Sequence, residues 1–215
     1  MYDLILYVGN KNYSSWSFRP WIALEGRSIP FTDVVVPFDF PAGNPGLKAV
    51  SPTGKVPALK QGDFVVAESL AIIEYVNELF PDAGLWPKDM QARAIARSVS
   101  MEMATGFRGI RNACPMNFRR PIKAIAMTDD IATDVRRIET IFAENLKTYG
   151  GPFLFGEFSA ADAMYAPVIN RLEAYAIPVS DTTKSYMASM KALPAWKKWE
   201  IAALAETWIV PEDEA

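Results

Sequence analysis

The apolar residues of this chain change their period at Pro81, and no other feature limits its fold as strongly. Before Pro81, short β-rich runs alternate with helix-like runs; after it, no convincing strand appears and apolar positions recur only at helical spacing. Leu4 to Val8 reads as a strand, followed by the polar stretch Gly9 to Ser15 and a helix through Trp21, Ile22 and Leu24 that stops at Gly26. Ser17 is placed as its cap, with Pro20 in the first turn, where a missing amide hydrogen does no harm. Phe31 to Val36 follows as a second strand; its three consecutive valines suggest burial on both faces, and the crossover length suits a parallel pairing.

Phe38 to Leu47 is too rich in Pro and Gly for a long helix and is expected to be a loop with at most one short turn. Ser51-Pro52-Thr53-Gly54 has the residue types of a type I turn. A hairpin then runs from Ala58 to Ala67 around Gln61-Gly62-Asp63, and a helix begins at Glu68-Ser69 with Ile72, Ile73, Val76, Leu79 and Phe80 on its buried side. Beyond the linker Pro81 to Pro87, Ile131, Val135, Ile138 and Phe142 share one helical stripe, as do Ala161, Tyr165, Val168, Leu172 and Tyr175. The order is βαβ, loop, ββα, then helices: an α/β domain over 1–81 and an all-α domain over 88–215. Cys114-Pro115 to Pro121 separates two of the long helices.

Composition removes whole classes of chemistry. With 0 His, a Ser-His-Asp or Cys-His nucleophile and an imidazole metal site are excluded, and Cys114 as the 1 cysteine leaves no disulfide, redox pair or thiolate cluster. We expect no metal. The 22 basic and 25 acidic residues give a net charge of −3 without a basic block, so no nucleic acid partner is expected. No apolar run reaches the roughly 18 residues of a spanning helix, and the N-terminus lacks the basic start and apolar stretch of a signal peptide. A cytoplasmic protein without a membrane partner is the expectation.

Four local motifs carry a resemblance. Ser14-Ser15-Trp16-Ser17-Phe18-Arg19 with Ile22-Ala23-Leu24 resembles the serine motif of zeta-class glutathione transferases, with Trp16 where that class has a cysteine. Gly54-Lys55-Val56-Pro57-Ala58-Leu59 is similar to the family's loop carrying a cis-proline, Glu68 to Tyr75 (ESLAIIEY) to its glutathione-binding helix start, and Gly156 with Ser159-Ala160-Ala161-Asp162 to its capping motif in the helical domain. Together they span most of the chain in the family's order. The resemblance implies a thioredoxin-like N-terminal domain that binds glutathione and an all-α C-terminal domain that supplies the electrophile pocket. It also implies a homodimer, for which Met101, Met103 and Phe107 offer partner surface.

The activity so implied is conjugation of glutathione, as cosubstrate, to a small electrophile. Alternatives are a glutathione-dependent isomerase or dehalogenase of the zeta type, or a non-catalytic interaction module on the same fold. Alignment on Arg19 places Ser14 at the thiolate position, with Ser15 as its substitute and Ser17 as a cap. Val56 is implied to bind the cysteinyl backbone, Lys55 the glycyl carboxylate, Glu68 the γ-glutamyl ammonium, and the helix start at Ser69 the γ-glutamyl carboxylate. A free thiol titrates near 8.5, so lowering it by about two units requires roughly 2.7 kcal/mol of preference for the anion. A charge-assisted bond from a hydroxyl, at about 1.5 to 3 kcal/mol, plus a helix N-terminus supplies that much. Ser159 and Asp162 read as a structural capping pair, Cys114 as a small buried residue, and Arg108, Arg111, Arg119 and Arg120 as a solvated face or an anion site.

Overall fold

The computed structural model describes residues 3–214, so the outermost bounds of the two expected domains, residues 1 and 215, lie outside the described residues. The first half contains β1 (Leu4–Val8), α1 (Ser15–Gly26), β2 (Thr32–Val35), α2 (Pro45–Val50), β3 (Ala58–Gln61), β4 (Phe64–Ala67) and α3 (Ser69–Leu79). The sheet order is β2-β1-β3-β4. β1 runs parallel to β2 and antiparallel to β3, with Leu6 opposite Asp33 on one side and Leu59 on the other. β3 and β4 close as a hairpin on Gln61 and Phe64 across Gly62-Asp63, where Gly62 takes φ +57.

Three local readings are corrected. β2 is not buried on both faces: Thr32 and Val34 are exposed and Asp33 and Val35 half-buried, because β2 is the edge strand and has a neighbour only in β1. The Pro-Gly segment gives way to a real helix, α2, which opens on Pro45 at a position where the missing amide hydrogen has no partner to lose. α1 starts at Ser15, so Ser17 lies inside its first turn and Pro20 in its second. Pro20 has no N–H to give the carbonyl of Trp16, one turn back, and the Ser69 hydroxyl donates to that carbonyl instead, at 2.7 Å. The start of α3 is thereby tied to α1.

The second half is helical: α4 (Met90–Thr105), α5 (Arg108–Ala113), α6 (Asp129–Tyr149), α7 (Ala160–Ala174), α8 (Asp181–Ala192) and α9 (Pro194–Ala205). The predicted stripe of α6 is buried, as is that of α7, with Tyr175 just past the helix end. The connection after Pro81 is not a free linker, since Leu85 and Trp86 are buried and the Leu85 carbonyl accepts from Ala160 at 2.7 Å.

α1 and α7 hold the two halves together. Every residue of α1 from Ser17 to Leu24 is buried, and so is α7 from Ala160 to Leu172, so neither helix has a solvent face. Ala160, Ala161, Ala163 and Ala166 keep α7 thin. α9 closes the other side of α1 through Trp199, stacked on Phe18 at 4.9 Å and tilted against Trp21 at 5.1 Å.

Asp162 anchors the start of α7. Its carboxylate accepts from the Ser159 N–H and hydroxyl (both 2.8 Å), the Leu154 N–H (2.9 Å) and the Tyr186 hydroxyl (2.9 Å), while burial pushes its pKa up. The expected capping pair is therefore also a junction between the 153–157 loop, α7 and α8. Asp162→Ala leaves these buried donors without an acceptor, at about 1 to 3 kcal/mol for each one stranded. Urea unfolding is expected to show a loss of about 3 kcal/mol or more; a loss under 1 kcal/mol would refute the junction.

Candidate active site

A cavity of about 810 Å³ lies between the halves, walled by the loop before α1, the 38–56 segment, α5, Pro115-Met116, Arg171 of α7 and Asp213. Of the residues expected to activate or bind glutathione, Ser14, Ser15, Lys55 and Val56 line it. Glu68 and Ser69 do not. Glu68 shares a cavity of about 190 Å³ with Lys55, Val56 and Trp16, and both residues line an apolar pocket of about 560 Å³ between α3 and α4.

The serines occupy different states. Ser14 is buried and its hydroxyl donates to Ser17 Oγ at 2.7 Å, which also accepts from the Gly9 N–H at 3.0 Å. Ser17 thus ties β1 to α1 from inside the helix and caps nothing. Ser14 stands at the cap position, but its side chain accepts no backbone hydrogen bond. The Ser15 hydroxyl is half-buried, lines the cavity and has no partner among the described residues. The amides of Trp16 and Ser17, in the first turn of α1, also keep the free donors of a helix start.

The Val56-Pro57 bond is cis, and neither the N–H nor the carbonyl of Val56 is hydrogen-bonded among the described residues. Lys55 is exposed and in no ion pair among them. Glu68 is exposed with φ +73, whereas Ser69 is buried and its hydroxyl is committed to Trp16.

Positive charge dominates one wall. Arg111 and Arg171 line the cavity, Arg19 lies behind Trp16, and none of the three forms an ion pair among the described residues. Arg19 is fully buried; its Nε donates to the Met164 carbonyl and Nη1 to the Ser15 carbonyl, both at 3.0 Å. Arg171 donates from Nε to the Cys114 carbonyl at 2.8 Å, and Arg111 from Nη1 to the Gly106 carbonyl at 3.0 Å. Burial, followed by repulsion from Arg171 and Arg111, lowers Arg19 well below the guanidinium range, and burial followed by repulsion from Arg111 pushes Arg171 down to about 10. Burial and then Arg108 lower Arg111 as well. Burial pushes Asp213 up, against the pull of Arg171. An anion entering the cavity relieves this unbalanced charge.

The predicted arginine cluster separates. Arg108 is exposed, Arg119 grips the Tyr13 hydroxyl and the Trp208 carbonyl (2.6 Å each), and Arg120 stacks on Tyr175 at 4.0 Å; only Arg111 faces the cavity. Sequence reasoning missed Arg19 as a buried cation, and also Arg171, whose one signal is a charge set beside the apolar stripe of α7. It missed Asp213 too, which had no signal. Cys114 is buried as expected, and burial pushes its thiol up to about 11.

Two sequence families match this chain: "Glutathione S-transferase, N-terminal domain" over residues 13–79 and "Glutathione S-transferase, C-terminal domain" over residues 117–200. Among similar proteins, the "Probable maleylacetoacetate isomerase" of Caenorhabditis elegans is 38% identical over 108 residues, 50% of each chain. The maleylacetoacetate isomerase of Rattus norvegicus is 28% identical over 183 residues, 82% of this chain and 81% of that one. In fold, the chain is similar to a Burkholderia glutathione transferase homologue solved with bound glutathione, at TM-score 0.73 and 22% identity over 95% of this chain and 100% of the other.

Proposed function

The chain belongs to the glutathione S-transferase superfamily, whose cosubstrate is glutathione, and from that premise we propose that it joins the glutathione thiolate to a small electrophile bearing negative charge. The observation that carries the charge preference is the unpaired Arg111 and Arg171 on the wall of the cavity. Residues 1–81 hold the tripeptide in this reading, and residues 88–215 hold the electrophile. The free N–H and carbonyl of Val56 take the cysteinyl backbone, Lys55 the glycyl carboxylate, and Glu68 with the α3 start at Ser69 the γ-glutamyl end.

The sulfur sits against Ser14 and Ser15 at the opening of α1. Ser15 has an uncommitted proton, and Ser14 delivers its own only by releasing Ser17. Attack forms the carbon–sulfur bond while the leaving group departs with its electron pair; the thiol proton has already passed to solvent. With the proton already gone, this step needs no base from the protein.

A second reading, the isomerase, is favoured by the relatives named maleylacetoacetate isomerase and uses the same thiolate and the same arginines. We further propose a homodimer through β4, α3 and α4. Phe64 (51%) and Met101 (51%) stand exposed there, although Met103 and Phe107, expected on this surface, are buried in the core.

Titrating thiolate absorbance of bound glutathione against pH tests the serines. Ser14→Ala or Ser15→Ala is expected to raise the thiol pKa by about one to two units, and the variant that does so identifies the donor. A pKa unmoved in both discards hydroxyl activation.

Iodoacetate and iodoacetamide, alike in size and unlike in charge, test the arginines. Arg111→Gln is expected to lower kcat/KM for iodoacetate about tenfold or more and to leave iodoacetamide within about threefold. An equal loss on both removes the charge preference. Sedimentation at micromolar concentration is expected to read a dimer in wild type and a monomer in Met101→Glu; a wild-type monomer removes that proposal.

A further inference from the structure

Among the described residues, Trp16 alone lines all three compartments of the cleft, the 810 Å³ cavity, the 190 Å³ cavity beside Val56 and the 560 Å³ pocket between α3 and α4. We propose that Trp16 is the specificity-determining residue of this site, a fixed partition that confines the electrophile to the cationic chamber and keeps it out of the apolar one. The inference rests on the transferase reading above and adds to it which electrophiles are refused.

The partition is held at both ends. Its backbone carbonyl, left without an intrahelical donor by Pro20, is bonded by the Ser69 hydroxyl at 2.7 Å. Its indole has the guanidinium of Arg19 4.1 Å from the ring centre and that of Arg111 4.9 Å away. The backbone is thus pinned by Ser69, and swinging the ring aside for a ligand would give up both guanidinium contacts.

The chambers it divides differ in chemistry. On one side Arg111, Arg171, Lys48 and Lys55 outnumber the single carboxylate of Asp213; on the other the walls are mostly apolar, with Leu70, Ala71, Met101, Ala104 and Met164, and the charged lining residues Glu68 and Glu74 are both acidic. In the proposed dimer the partner would roof the apolar pocket, so that the way into it from the thiol runs past Trp16. Removing the indole joins the cavity that Ser14 and Ser15 line to the part of the apolar pocket beyond Glu68 and Ser69, around Leu70, Met101 and Ala104, and a bulky uncharged electrophile then has room to extend there from the sulfur. The wild-type ring refuses that electrophile by occupying the space.

The test compares two alkyl halides that react by the same displacement, in which sulfur bonds to carbon and halide leaves: iodoacetate and 2-(bromomethyl)naphthalene. For wild type, Trp16→Ala and Trp16→Phe, kcat/KM is measured above the uncatalysed rate, with glutathione affinity followed by calorimetry. Trp16→Ala is expected to raise the naphthyl-to-iodoacetate ratio about tenfold or more, and Trp16→Phe to hold it within about threefold of wild type. A ratio unchanged in Trp16→Ala, folded and still binding glutathione, overturns the partition alone. If Trp16→Ala does not fold, Trp16→Leu takes its place and is expected to raise the ratio at least threefold, with an unchanged ratio again decisive against the proposal. A wild type that neither binds glutathione nor accelerates either reaction overturns the transferase reading and the partition together.

Discussion

The rest of the structure depends on α1 having no side turned to water. It lies between the sheet, α3, α7 and α9, with Phe18, Trp21, Ile22 and Leu24 all buried. A helix in that position must satisfy or neutralise whatever polar groups it carries, and Arg19 is the extreme case. Its guanidinium reaches across to the carbonyl of Met164 on α7 and back to that of Ser15, so the contact between the halves is polar as well as apolar. Breaking a buried charge from its partners costs several kcal/mol, which makes the relative position of the halves a consequence of one side chain as much as of the apolar seam. The cavity exists only because that position is fixed.

The same helix explains why the site is polarised. Its first turn offers amide donors to the cavity while Arg19, Arg111 and Arg171 place positive charge around it without a matching carboxylate at ion-pair distance among the described residues. Burial weakens the screening that would dissipate such a field in water. A thiolate and a second anion are both favoured by this arrangement, and the depressed proton affinity of Arg171 is the cost the protein carries when the cavity holds neither.

Much of the fold was legible because it rests on period: the strand-helix alternation before Pro81 and the stripes of α6 and α7 appear where the pattern placed them. The misreadings share a cause, which is that local patterns do not reveal the neighbours. Three valines in a row look like a central strand, yet sheet order puts β2 at an edge. Ser17 looks like a cap, yet Gly9 reaches its hydroxyl from the end of β1. Arg119 and Arg120 look like Arg111 in sequence, and only the tertiary fold decides that Arg119 and Arg120 turn to the carbonyls of Trp208 and Ala174 while Arg111 faces the cavity. Asp213 arrives at the site from the far end of the chain and had no pattern to announce it.

The segment after α9 closes the side of the cavity that the sheet leaves open. The carboxylate of Glu206 accepts from the amides of Lys11 and Asn12 at 2.7 and 3.1 Å, and Glu214 accepts from the Tyr13 hydroxyl. These partners are separated by 195 positions in the case of Lys11. During synthesis, the loop that leads into Ser14 therefore emerges long before the groups that hold it exist, and contacts so distant in sequence are slow to form. The sheet, α1 and α3 are made first, but α1 gains its cover only with α7 and α9, and the mouth of the cleft settles after both. A ribosome-bound chain that has made the sheet would still lack the cover of α1 and have an unfinished reaction centre.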